Sequence, residues 1–181
     1  MDLTDEHTRV FFALWPNRQG REELVIWQNE LRPLCGGRVM RPDTLHTTLV
    51  FLGEVAVARL EALVLAAREI EFHPFELTFE TARYWGHNHI VYAAPDSVPP
   101  PLLELVTELE RGLVKHKFHF ERRPYKPHVT LLRNVLWSDA DLPVLPVTRW
   151  ECHEFVLLQS LRDERGGHYG VLARFAASAL E

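Results

Sequence analysis

The sequence predicts an α+β fold built from largely antiparallel sheets with flanking helices. Three observations lead there. Short apolar strands follow one another through tight turns, as antiparallel pairs do. Three amphipathic helices are set among them without the strict strand–helix alternation of a parallel sheet. Finally, His46-Thr47-Thr48-Leu49 recurs as His128-Val129-Thr130-Leu131, 82 residues later in a chain of 181. Two similar lobes, each contributing one copy, explain that echo.

The elements follow in order. Val10-Phe11-Phe12-Ala13-Leu14 reads as a strand that Pro16 ends. Asn17 to Leu34 carries Leu24, Trp27, Leu31 and Leu34 at helical spacing, with Pro33 and Gly36-Gly37 expected to close it. Leu45 to Gly53 is β-rich and is expected to stop at its glycine. Val57 to Ile70, with Leu60, Leu63, Val64 and Ala67, is a second amphipathic helix. Phe75 to Glu80 alternates as a half-buried strand, and His89 to Ala93 is its expected hairpin partner across Gly86-His87-Asn88. Pro99-Pro100-Pro101 opens a third helix running to about His116. His128 to Leu132 is a strand, and Ala140 to Pro146 a loop. Glu154 to Gln159 and Tyr169 to Phe175 form a closing hairpin. No linker of Gly and Ser divides the chain, so residues 1–181 read as one domain.

Composition narrows the function classes. Apolar residues make up 46% and charged residues 25% of the chain, the profile of a globular protein. No apolar stretch approaches the roughly 20 residues that span a bilayer. The segment Met1 to Glu6 is acidic and lacks a signal-peptide pattern, so a cytoplasmic location is expected. Two cysteines, Cys35 and Cys152, read as reduced thiols and not as a disulfide framework. A net charge of −5 argues against a general nucleic-acid-binding surface but leaves room for a local phosphate pocket. The basic residues are placed for one. Arg38 and Arg41 precede His46, Arg122, Arg123 and Lys126 precede His128, and Arg133 follows it.

The repeated motif carries the chemistry. In a strand, residues i and i+2 share a face. His46 therefore projects with Thr48, and His128 with Thr130, while Thr47, Leu49, Val129 and Leu131 turn into apolar packing. Two facing strands would bring two imidazoles and two hydroxyls together. One imidazole can then take a proton from attacking water while the other gives one to the leaving oxygen, both working near neutral pH. The hydroxyls can donate to the non-bridging phosphate oxygens. Chance alone yields about 0.3 such motifs in a chain of this composition, so the setting matters. Both copies begin strands, follow basic residues, and stand after a proline, Pro42 in one case and Pro127 in the other.

That setting resembles the two-histidine phosphoesterase superfamily, and within it the RNA 2′,3′-cyclic phosphodiesterases once named 2′-5′ RNA ligases. The likeness covers essentially the whole chain. It runs through Arg9-Val10-Phe11-Phe12-Ala13-Leu14-Trp15-Pro16, then Leu45 to Gly53, then Arg123-Pro124-Tyr125-Lys126-Pro127-His128-Val129-Thr130-Leu131-Leu132-Arg133. It closes on Phe155 to Ser160 with Gly167, Tyr169 and Phe175. The stretch from Leu136 to Arg149 matches least. The resemblance implies two interleaved, pseudo-twofold-related lobes with the active site in the cleft between them. It implies hydrolysis of 2′,3′-cyclic phosphate at RNA ends to a 2′-phosphate, with reverse 2′-5′ ligation open to the same groups. It also implies His46 as proton donor and His128 as proton acceptor, a direction the residues alone leave open. Thr48, Thr130 and Arg133 would bind phosphate. Tyr125 and Phe12 are candidates to stack on a base, though both also suit core packing.

No cofactor is expected, and no metal. His87-x-His89 and His116-x-x-His119 have ligand-like spacing, but no carboxylate or cysteine cluster completes either. The expected partners are RNA termini or small cyclic nucleotides, with no membrane and a monomer favoured. Two other readings stand beside the enzyme. A nucleotide-binding module of the same fold needs the pocket but not both imidazoles, and a metal-dependent phosphodiesterase needs ligand carboxylates.

Overall fold

The structure, a computed structural model, describes residues 6–136 and 142–179. Its regular elements run β1 (His7–Leu14), α1 (Arg18–Cys35), β2 (Arg38–Val39), β3 (Thr47–Ala56), α2 (Leu60–Arg68), β4 (Phe75–Phe79), β5 (Thr81–Trp85), β6 (Ile90–Ala94), α3 (Pro100–Lys115), β7 (Val129–Arg133), β8 (Thr148–Cys152), β9 (Glu154–Asp163) and β10 (Gly166–Ala176). One four-stranded sheet has the order β10-β9-β1-β3 and a second the order β2-β7-β6-β5, while β4 and β8 form a two-stranded ribbon. Every pairing is antiparallel. The α+β class and the antiparallel sheets predicted from sequence are what the structure has.

The two large sheets interleave along the chain. The first takes strands from both ends of the sequence, the second from the middle. Helix α1 follows β1 yet packs on β2, β7 and β8, whereas α2 and α3 pack on each other and against β10 and β3. One continuous apolar core joins the inner faces, holding Phe12 of β1, Leu24 of α1, Val91 of β6, Leu105 of α3 and Leu131 of β7. The outer faces carry smaller clusters: Phe11, Ala13, Val156 and Leu158 on one sheet, Ile90, Tyr92 and Ala94 on the other. No helix among the described residues is long and apolar enough to cross a membrane.

Several boundaries differ from the sequence expectation. Pro33 lies inside α1, and the helix closes only at Gly36, whose φ of 65° turns its N–H back onto the Arg32 carbonyl at 2.9 Å. Gly53 does not end β3. It sits at a φ of 76° where the register with β1 shifts, so it marks a bulge. The strand Phe75–Phe79 does not pair with β6. Its partner is β8, 69 residues further on from Phe79 to Thr148, and β6 pairs instead with β5. The reason is burial. Phe75, Leu77 and Phe79 alternate inward and meet Trp150 and Cys152, which also alternate inward. β5 has no such alternation, since its residues are all partly or fully exposed. The loop expected from Ala140 to Pro146 lies partly outside the described residues, and 142–147 form no regular element.

Gly37 matters for the site. A Cβ there would lie 2.5 Å from the Arg133 carbonyl oxygen, so only glycine lets β2 approach β7 at this point. Gln28, buried on α1, braces the same junction by donating to the Met40 and Leu131 carbonyls at 2.9 and 3.0 Å.

Candidate active site

Both motif histidines stand one residue before a strand, His46 ahead of β3 and His128 ahead of β7. The apolar partners turn inward as period two requires: Thr47, Val129 and Leu131 are fully buried and Leu49 nearly so. The other face of each motif opens into a cleft of about 210 Å³. His46, Thr48, His128, Thr130 and Arg133 all line it, so the five residues singled out for catalysis and phosphate binding come together.

The two imidazoles are held alike. Nδ1 of His46 lies 2.7 Å from the Thr44 carbonyl, and Nδ1 of His128 lies 2.9 Å from the Lys126 carbonyl. A carbonyl only accepts, so each Nδ1 carries the proton and each Nε2 is left for chemistry. In both cases the carbonyl belongs to the residue two positions earlier. Nε2 of His46 lies 3.1 Å from the Thr48 hydroxyl, the i, i+2 pairing expected from sequence. Aromatic rings fix the planes. His46 packs with Phe11 and Tyr169, both at 5.1 Å between ring centroids, and His128 with Trp85 at 4.8 Å and Tyr92 at 5.6 Å.

This enclosure sets the proton affinities. Burial is the main cause that pushes His46 down from its ordinary value to about 4. The Thr44 hydrogen bond opposes that, while His128 and Arg133 lower it further. His128 is also lowered, first by burial and then by Arg133, against its Lys126 hydrogen bond. Part of the His46 ring faces the cleft, so water or a bound anion relieves some of its burial penalty. Burial pushes the Tyr169 hydroxyl up, which keeps it a neutral donor.

Phe12 is not a substrate contact. It is fully buried and packs edge-on against Phe155 and Phe175 on the inner face of its sheet. Its neighbour Phe11 points the other way and lines the cleft, as alternation along a strand demands. Tyr125 lies beside the cleft, where its ring packs on the core and its hydroxyl donates to the Thr48 carbonyl at 3.2 Å. Of the flanking cations only Arg133 lines the cleft. Arg41 pairs with Asp43, Arg123 pairs with Glu121, and Arg122 lies over the Phe120 ring. Among the described residues no group of three or more His, Cys, Asp or Glu is placed to hold a metal ion.

Sequence reasoning did not assign Phe11, Met40, Thr44, Phe51, Ser160 or Tyr169 to the site, yet they complete the cleft lining. Ser160 and Tyr169 face each other in the β9–β10 register, so the closing hairpin was the available signal. The role of the Thr44 and Lys126 carbonyls has no signature in side-chain identity.

Two H-x-T strands facing one cleft across interleaved antiparallel sheets define a two-histidine phosphoesterase. Comparison with known proteins is specific: the LigT-like phosphoesterase family model matches residues 14–92 and again 93–161, and the chain belongs to that family. The two matches each contain one motif. A protein of Escherichia coli named RNA 2′,3′-cyclic phosphodiesterase is 32% identical over 173 residues, covering 94% of this chain and 97% of that protein. A Thermus thermophilus protein of the same name is 29% identical over 180 residues, covering 93% and 89%. The crystal structure of E. coli LigT complexed with 3′-AMP superposes with a TM-score of 0.87 at 30% identity, covering 96% of this chain and all of that one.

Proposed function

We propose that this chain hydrolyses 2′,3′-cyclic phosphate at RNA ends to a 2′-phosphate, without a metal, using His46 as proton donor and His128 as proton acceptor. The observation that carries the reading is the convergence of both complete motifs and Arg133 on one cleft, with each Nε2 freed by a backbone carbonyl behind it. The names of the relatives support the substrate class.

Neutral His128 accepts a proton from water through Nε2, and the water oxygen bonds to phosphorus. The bond from phosphorus to O3′ breaks, and His46, protonated on Nε2, gives its proton to the departing oxygen. Thr48, Thr130 and Arg133 hold the non-bridging oxygens, where charge accumulates. A low proton affinity suits a donor, because an imidazolium that binds its proton weakly releases it readily to an alkoxide. A bound phosphodiester anion opposes the pull of Arg133 on both rings and favours the protonated form that His46 needs. A 5′-hydroxyl in place of water joins ends through a 2′-5′ bond by the same step: His128 takes its proton, its oxygen bonds to phosphorus, and His46 protonates the departing O3′.

We take residues 1–181 as one domain of two interleaved lobes, acting as a monomer in the cytoplasm. The support is the single continuous core and two free, buried thiols, Cys35 and Cys152, which suit a reducing compartment. The test is a product assay on an RNA oligomer ending in 2′,3′-cyclic phosphate. A 2′-phosphate is the expected product; a 3′-phosphate would reverse the leaving group, and binding without turnover would leave only a nucleotide-binding module. A 2′,3′-cyclic mononucleotide run in parallel separates RNA ends from small cyclic nucleotides. Turnover is expected to persist in excess EDTA and to gain nothing from added Mg²⁺, Mn²⁺ or Zn²⁺. Loss on chelation with recovery on one metal would overturn the metal-free mechanism.

A further inference from the structure

The second histidine reaches the cleft on an irregular segment. Residues 118–128, between α3 and β7, form no helix or strand. They run along β3, which is the end strand of its sheet and is paired on one side only, by β1. Two bonds fasten the segment to β3. The Glu121 N–H donates to the Phe51 carbonyl at 2.8 Å, and the Tyr125 hydroxyl donates to the Thr48 carbonyl at 3.2 Å.

The second bond joins the two halves of the site. On its acceptor side is Thr48, whose own hydroxyl lies 3.1 Å from His46 Nε2. On its donor side is Tyr125, the residue just before Lys126, whose carbonyl orients His128 at 2.9 Å. Pro124 and Pro127 flank the pair and fix φ at both positions, which stiffens the path from the phenol to the imidazole. The ring is packed on the core, and burial pushes the hydroxyl's proton affinity up, so it stays a donor at every working pH.

We propose that Tyr125 is a positioning residue: its hydroxyl ties the approach to His128 to the strand of Thr48 and thereby holds the two imidazoles at a working separation. The proposal rests on the phosphodiesterase reading for its kinetic consequence. Proton transfer at both ends of a reacting phosphate depends on that separation, and a misplacement on the order of 1 Å is enough to cost up to about a hundredfold in rate. The Tyr125 hydroxyl is engaged by the Thr48 carbonyl, so loss of the bond should act on the reacting geometry and not on ground-state affinity.

Tyr125→Phe keeps the ring and removes only the tie. With a 2′,3′-cyclic phosphate substrate, kcat is expected to fall about tenfold while KM stays within about twofold. Circular dichroism and melting confirm that the variant is folded at the assay temperature. An unchanged kcat with a raised KM would make Tyr125 a substrate contact and overturn the proposal. A lowered melting temperature with both constants unchanged would make it a stabilising contact only, and would overturn it too. If the wild type turns over no cyclic phosphate, the phosphodiesterase reading fails, and ¹⁵N imidazole titration of the same two proteins decides the matter. The tie is then upheld if His128 titrates nearer its ordinary value in Tyr125→Phe, as a loosened segment admits water to the ring, and refuted if His128 titrates unchanged.

Discussion

Alanine at His46 or at His128 is expected to lower kcat on a 2′,3′-cyclic phosphate by about 10²–10⁴. Each imidazole is held at Nδ1 by a carbonyl two residues earlier and caged by aromatic rings, so its Nε2 is delivered to one place. Water entering the vacated space has neither that placement nor an affinity for protons near neutral pH. The two rings serve one concerted transfer, so the double variant should be impaired less than the product of the single effects. The fold should survive, because both side chains line the cleft while the core is built from the opposite strand faces. The measurement is kcat for wild type, both single variants and the double variant, with circular dichroism as control. A folded His128→Ala or His46→Ala protein with near-wild-type turnover would refute the two-histidine mechanism.

The parts of this site that were legible in the sequence are those governed by period two. Once His46 and His128 head strands, alternation dictates that Thr48 and Thr130 accompany them while Val129 and Leu131 turn inward. The same rule, applied to β1, separates Phe11 from Phe12, but nothing in the sequence says which face is the core. The sheet is apolar on both, and a run such as Val10-Phe11-Phe12-Ala13-Leu14 carries no polar residue to break the tie. The pairing of β4 with β8 was hidden for another reason. It joins strands far apart in sequence, and no local turn announces a distant partner. β5 was hidden by its exposure, which removes the alternation that marks a strand. Backbone acceptors such as the Thr44 and Lys126 carbonyls are set by chain path alone.

The pH dependence distinguishes free enzyme from complex. A symmetric pair of ordinary histidines predicts a bell centred near neutrality. The structure moves the free enzyme to the acid side, since burial lowers both rings below the ordinary value near 6.5, and Arg133 lowers both further. The sign follows from the roles. The donor must hold a proton, so kcat/KM should fall tenfold per pH unit once pH exceeds the upper free-enzyme value, about a hundredfold between pH 7 and pH 9. The acceptor must be bare, so the opposite limb falls only at lower pH. His128 itself lowers His46, so the two limbs report the pair and not one ring each. In the complex the phosphodiester anion opposes the Arg133 charge, and the kcat bell should lie at higher pH than the kcat/KM bell. Arg133→Met removes the charge while keeping most of the bulk. It should carry the kcat/KM profile toward higher pH on both limbs and raise KM through the lost phosphate contact. The measurement is the full pH profile of both constants for wild type and Arg133→Met. A wild-type kcat/KM optimum above neutrality, or a profile that Arg133→Met leaves in place, would show that burial and the guanidinium do not govern these protons.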